Sequence, residues 1–114
     1  MLGDLYRRTG QYDKAFATFE RMQRALPNEA SALYLIGRTS AVSGERLDDG
    51  ERALKAYIAA HRKPTDPPLA SAHFRLGTIY EKQRRRDLAR QEYEATLRLD
   101  PYQNEAKAAL KRVR

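Results

Sequence analysis

Apolar residues recur at helical spacing along the whole chain. Between residues 11 and 26 every third or fourth position is apolar, as the series Tyr12, Ala15, Phe19, Met22 and Leu26 shows. Such spacing places the side chains on one face of an α-helix. No segment alternates apolar and polar residues as a half-buried strand does, so we expect no sheet. The pattern predicts helices near residues 2–9, 11–25, 29–43, 48–62, 67–83, 86–98 and 102–113.

Turn and capping signals fall between these predicted helices. Pro27 and Asn28 end one helix and begin the next. Asp66-Pro67 and Asp100-Pro101 each place an N-capping residue before a proline, which is favoured at the first helical position.

The chain is also repetitive. A large apolar residue followed by Gly occurs three times, and in two copies a Tyr stands three residues after the Gly. The glycines of the first and second copies are 34 residues apart, and those of the second and third copies are 40 residues apart. The copies are Leu2-Gly3 with Tyr6, Ile36-Gly37 with Ser40, and Leu76-Gly77 with Tyr80.

A second pattern with a fixed internal spacing follows each copy. An Ala is followed four residues later by an aromatic residue, and Pro27 and Pro101 stand eight residues after the first and third aromatics. In the middle copy this element comes four residues late, so the turn there is longer, near residues 44–47. The three pairs are Ala15 with Phe19, Ala53 with Tyr57, and Ala89 with Tyr93.

With these residues at these offsets, the chain resembles the tetratricopeptide repeat family. The resemblance implies an all-α fold, a right-handed α-solenoid of antiparallel helix pairs with about seven helices. It implies one domain over residues 1–114, with units at about 1–29, 30–69 and 70–103 and a cap helix at 102–113. The first helix begins about five residues late by comparison with the other units. We therefore expect the chain to be a fragment of a longer protein.

Two departures from the family pattern matter physically. No unit contains the family's Trp, and unit three has Arg84-Arg85-Arg86 where unit one has Gly10-Gln11-Tyr12. If that turn requires a positive φ, Arg84 costs on the order of 1 kcal/mol relative to glycine.

The resemblance also implies a binding surface, because the first helix of each pair lines the concave face in this family. A module of this kind binds a short peptide or a partner helix. Only Arg75 matches the basic clamp with which some members hold chaperone C-termini, so that subtype is disfavoured. The alternative for Tyr34 and Phe74 is packing against neighbouring helices. The projected peptide groove comprises Arg7, Tyr34, Arg38, Phe74, Arg75, Thr78 and Lys82.

Charge adds a second candidate surface. The formal net charge is +7. Residues 1–60 contribute +1 and residues 61–114 contribute +6, counted from the same sequence. The basic half predicts attraction to nucleic acid or an acidic partner, or simply a solvated helical surface. Nucleic acid is the less favoured partner because three units are few. The basic patch comprises Arg84, Arg85, Arg86, Arg90, Lys111 and Arg112.

Catalytic chemistry is not indicated. There is no Cys, and no nucleophile or phosphate-binding motif is present. His73 is expected to pack, His61 to be solvated, and Asp48-Asp49 to favour a helix N-terminus rather than a metal. We therefore predict no enzyme activity, no catalytic residue, no cofactor and no metal.

The remaining expectations concern partners and location. The partner is expected to be a protein or peptide, with a possible homo-oligomer formed through the truncated first helix, which would leave apolar residues uncovered. The sequence contains no apolar run of membrane-spanning length and no signal peptide, which favours a cytoplasmic location. The Arg- and Ala-rich composition is typical of a bacterial source.

Overall fold

The fold is all-helical, as predicted. The computed structural model describes residues 2–60 and 63–114, with side chains described from residue 10 onward. Within these residues there are six α-helices and no strand, and His61 lies outside them. The helices are α1 (Leu2–Ala25), α2 (Ser31–Ser43), α3 (Leu47–Ala59), α4 (Leu69–Lys82), α5 (Arg86–Leu99) and α6 (Asn104–Val113).

The predicted break between the first two helices is absent, and this accounts for six helices rather than seven. α1 runs without interruption through Gly10. A glycine inside a helix costs about 1 kcal/mol relative to alanine but does not break the helix. A Cβ built on Gly10 would meet no atom within 4 Å. Because nothing packs against Gly10, no close contact requires the chain to turn there.

The helices stack in chain order. α1 contacts α2, α2 pairs with α3, α4 pairs with α5, and α6 packs on α5, while α2 also contacts α4. Each pair closes tightly at its glycine. A Cβ on Gly77 would lie 2.7 Å from a ring carbon of Tyr93, closer than real side chains approach. The glycine therefore permits the α4–α5 contact that the repeat pattern predicts.

The core follows the repeat aromatics. Tyr57 and Tyr93 are fully buried in one continuous cluster with Leu54 and Ile79. Phe16 of α1 is also fully buried and packs in a second, smaller cluster under the first half of the chain. Burial of such side chains contributes about 1.5–3 kcal/mol each.

The long turn between α2 and α3 explains the serine in the middle repeat. Ser40 is fully buried, and its hydroxyl lies 2.8 Å from the carbonyl oxygen of Glu45 and 3.0 Å from that of Arg46. A Cβ on Gly50 would clash with the Ser40 side chain. The third unit has the buried Tyr80 at this position, whereas the middle unit has the extended turn and the start of α3 beside Ser40.

The turn between α4 and α5 meets the condition stated for it, a positive φ at Arg84. Arg84 has φ +62°, in the left-handed region that favours glycine. Gly44, which ends α2, has φ +76° and adopts the same region without a Cβ.

Candidate functional site

The candidate surface is formed by the solvent-facing stripes of α2 and α4. On both helices, successive residues of the stripe are separated by four, three and four positions. None of its side chains is buried, and the two helices are neighbours in the stack. We call this surface the two-helix face. It consists of Ser31, Leu35, Arg38 and Val42 on α2 and of Ser71, Arg75, Thr78 and Lys82 on α4.

Arg38 and Arg75 are the charged residues of the two-helix face that have no ion pair or hydrogen-bond partner within the described residues. Arg38 is exposed, and within the described residues neither guanidinium has an ion pair. The Arg75 guanidinium lies 5.6 Å from the ring centre of Phe74, within the range of a cation–π contact. Both groups keep their hydrogen-bonding capacity for an external acceptor.

Apolar area stands beside these charges. Val42 is 53% exposed, and Leu35 is half-buried. Val42 was not among the residues projected from the sequence, although it follows Arg38 by four positions and so shares its face. The two-helix face therefore combines guanidinium and aliphatic groups.

The two aromatic residues projected onto the groove lie in the core. Tyr34 is 8% exposed and its ring centre is 5.5 Å from that of Tyr57. Phe74 is 9% exposed and its ring centre is 5.8 Å from that of Tyr93. Both rings therefore pack against neighbouring helices, which was the alternative to a position in the groove.

The other projected groove residues have internal contacts or lie outside the described side chains. The Thr78 hydroxyl donates a hydrogen bond to the carbonyl of Phe74 at 3.1 Å. The Lys82 ammonium donates to the carbonyl of Ala41 at 2.5 Å, at the C-terminal end of α2. A cation at that end also interacts favourably with the helix dipole. The side chain of Arg7 lies outside the described part of the chain.

Most of the basic patch is already paired. Arg85 bonds to Glu51 at 3.0 Å and lies 4.8 Å from the Tyr80 ring centre. Arg86 donates to the carbonyl of Arg112 at 2.7 Å. Arg90 lies 3.8 Å from Asp87 and 3.7 Å from Glu94, both exposed pairs of small energetic value. Arg84 and Lys111 are exposed and have no ion pair within the described residues.

A carboxylate on α4 holds the last helix in place. Both oxygens of Glu81 accept hydrogen bonds from the Arg112 guanidinium, at 3.0 and 3.1 Å, and one also accepts from the Tyr93 hydroxyl at 2.7 Å. The hydrogen bonds from Arg112 lower the pKa of Glu81 from its ordinary value. Burial, and then the bond to Glu81, raise the pKa of Tyr93. Arg112, projected as basic surface, therefore anchors α6.

Two open depressions of the described residues lie away from the two-helix face. An open depression of about 390 Å³ lies between α1 and α3, with Leu33, Ile36 and Ala53 among its lining residues. A larger one, of about 550 Å³, surrounds Asp48 and Arg52 at the start of α3. None of the residues that line these two depressions belongs to the two-helix face.

His73 has a structural contact. His73 Nδ1 lies 2.7 Å from a carboxylate oxygen of Glu92, which joins α4 to α5. In the described part of the chain, no three His, Asp or Glu side chains are grouped for metal binding. None of the described helices has the length and apolarity needed to cross a bilayer.

Comparison with known families agrees with the repeat architecture. A family model described as Tetratricopeptide repeat matches residues 1–45 and 39–104. The two matches together extend over residues 1–104 and so reach from α1 into the start of α6. No curated protein matches the sequence closely enough to be called a relative.

Proposed function

The chain belongs to the tetratricopeptide repeat family, and on that premise we propose that it binds a short acidic and apolar peptide, or a partner helix, along the two-helix face. Repeats of this family are generally non-catalytic protein–protein interaction modules. We accordingly propose that the chain acts by binding and carries no enzyme activity. In this assignment the units are about residues 1–29, 30–69 and 70–103, followed by a cap helix at 102–113.

The proposal rests on which arginine side chains are bound to groups of this protein and which are not. Four of the six basic-patch residues are bound to carboxylates or carbonyls, whereas Arg38 and Arg75 have no ion pair within the described residues. A guanidinium binds a carboxylate with two parallel hydrogen bonds, and arginine is enriched at interface hot spots. Leu35 and Val42 supply apolar area on the same face.

The test begins with an array of short peptides that differ in acidic and apolar content. Peptides that bind are then titrated by fluorescence anisotropy against Arg38→Ala and Arg75→Ala. Each substitution should weaken binding by about 1–3 kcal/mol, roughly 5- to 150-fold. Arg98→Ala is the matched control, because Arg98 is exposed on α5 and also has no ion pair in the described part of the chain.

The control should bind as tightly as the unmodified protein. If the Arg38 and Arg75 variants also retain full affinity, the binding site lies elsewhere on the protein. An array with no binding peptide at all would argue for a folded partner helix, which a longer amphipathic probe then tests.

The second candidate is nucleic acid or an acidic protein bound at the basic patch. Arg84 and Lys111 support it, because both are exposed cations without an ion pair among the described residues. It ranks below the peptide proposal, since Arg85, Arg86 and Arg112 are held by internal contacts. Binding of mixed oligonucleotides that weakens steeply with salt would support it, and no binding at low salt would eliminate it.

A further inference from the structure

The two arginines of the two-helix face are offset by about one helical turn on neighbouring helices. The repeat pattern aligns Gly37 with Gly77, and Arg38 follows its glycine by one position while Arg75 precedes its glycine by two. This difference of three positions is a rise of about 4.5 Å along the helix axis, and packed helices lie about 8–10 Å apart. The Cα atoms of Arg38 and Arg75 are therefore about 10 Å apart, which lets one ligand reach both side chains.

Lys82 joins the same two helices at their C-terminal ends. Its ammonium donates hydrogen bonds to the carbonyl of Ala41 at 2.5 Å and to that of Val42 at 3.4 Å. Both carbonyls belong to the last turn of α2, where carbonyl groups have no partner within the helix. Because the last residue of α4 meets the last turn of α2, the two helices run in the same direction.

The stem of Lys82 also lies against the end of α2. A Cβ built on Gly44 would lie 3.9 Å from Cδ and 4.0 Å from Nζ of Lys82, which is ordinary van der Waals contact. Gly44 is the residue that ends α2. The Lys82 side chain is therefore occupied by α2, in contrast to Arg38 and Arg75, which have no ion pair within the described residues.

The bonds of Lys82 give the contact between α2 and α4 a fixed direction. In the described part of the chain, these are the hydrogen bonds that connect the two helices, and the rest of their contact is side-chain packing. A hydrogen bond constrains both distance and angle, whereas apolar contacts are non-directional. Without the ammonium, the two helices would remain in contact but could shift against each other.

We propose that Lys82 is a positioning residue for ligand binding, because its bonds to α2 set the separation at which Arg38 and Arg75 bind one ligand together. The inference rests on the proposed function, since the ligand is the acidic and apolar peptide of the two-helix face. Two guanidinium groups held at a fixed separation lose little freedom on binding, so the first contact favours the second. Lys82 acts through the two arginines and does not touch the ligand.

The first test measures the separation without any ligand. Because the sequence has no cysteine, the double variant Arg38→Cys/Arg75→Cys carries nitroxide labels at the two positions of interest alone. Dipolar broadening of the electron paramagnetic resonance spectrum reports the distance between the labels. Adding Lys82→Met should lengthen and broaden the distribution of distances, and Lys82→Arg should leave it narrow, because a guanidinium can also donate to both carbonyls. An unchanged distribution with Lys82→Met overturns the proposal.

Lys107→Met is the matched control for this measurement. Lys107 is exposed on α6 and has no ion pair within the described residues, so the control loses the same charge and gains the same side chain. Its distribution should equal that of the unmodified background. If Lys82→Met loses its helical circular dichroism, Lys82→Gln replaces it, since the amide is one atom shorter and remains polar.

The second test uses the peptide that binds most tightly in the array. Affinities for Arg38→Ala, Arg75→Ala and the double variant form a double-mutant cycle. In the unmodified protein the two arginines should be coupled by about fivefold. In the Lys82→Met background the affinity should fall and the coupling should disappear, whereas Lys82→Arg should restore both.

Each remaining outcome has a defined meaning. Weaker binding by Lys82→Met with the arginines still coupled overturns the positioning role and makes Lys82 a ligand contact. Arginines that are uncoupled in the unmodified protein overturn their joint binding of one ligand. An array without any binding peptide overturns the proposed function, and the label distances then still decide whether Lys82 sets the separation of the helices.

Discussion

Replacing Arg84 by glycine should stabilise this protein, although it deletes a side chain. Arg84 lies in the turn that joins α4 to α5 and has φ +62°. Its side chain is exposed and has no ion pair within the described residues. The substitution therefore removes strain from the backbone and sacrifices no ion pair or side-chain hydrogen bond of the described residues.

The magnitude follows from two opposing effects. A residue with a Cβ pays about 1–2 kcal/mol in the left-handed region, and glycine pays almost nothing. Glycine also makes the unfolded chain more flexible, which costs about 0.4–1 kcal/mol. The expected net gain in the free energy of unfolding is about 0.5–1 kcal/mol. For a chain of this size that corresponds to a rise in Tm of about 2–5 °C.

Urea unfolding followed by circular dichroism measures the gain, and Arg84→Ala is the matched control. Both variants remove the same positive charge from the basic patch, so any relief of charge repulsion is common to them. Only the glycine variant removes the Cβ. Identical urea midpoints for the two variants, or a lower midpoint for glycine, would refute the role assigned to the left-handed backbone.

Four further substitutions are tested by the same unfolding assay. Gly77→Ala should lower the free energy of unfolding by about 1–3 kcal/mol, because the new Cβ meets the ring of Tyr93. Gly10→Ala should raise it by about 1 kcal/mol, because alanine is the better helix former. Equal effects of the two substitutions would contradict the packing described. Because the pKa of Glu81 is lowered in the fold, its stabilising contribution is present at neutral pH and is lost as the pH falls through that lowered pKa. Glu81→Gln should therefore flatten the loss of stability below about pH 5, and an unchanged acid limb would count against this. Lys82→Met should destabilise by about 1–2 kcal/mol through loss of its bond to the α2 backbone, and a neutral result would show that bond to be dispensable.

The repeat architecture could be read from the sequence because its signals are local. The offsets among Gly77, Ala89 and Tyr93 report contacts inside one helix pair, and the structure places all three in the close-packed α4–α5 contact. A glycine at the equivalent position of the first unit raised the condition of a positive φ at Arg84, and the structure meets that condition. The prediction of a break at Gly10 was wrong, because α1 continues through this residue and no neighbouring side chain lies within 4 Å of its Cβ position.

The pairing of the charged side chains could not be read from the sequence. Glu81 and Arg112 are 31 residues apart, and Lys82 reaches a carbonyl 41 residues away. No helical periodicity encodes such contacts, since they depend on how neighbouring pairs stack. The core positions of Tyr34 and Phe74 are explained in the same way: each ring packs on an aromatic residue of the following helix.

The neighbour-to-neighbour stacking of the helices also has a kinetic consequence. Each helix packs mainly on the next one along the chain, and the contact between α2 and α4 skips only one helix. Few long loops must close before native contacts form, so the contact order is low and folding is expected within microseconds to milliseconds. Slow formation of long-range contacts is therefore not expected to limit the folding rate of this chain.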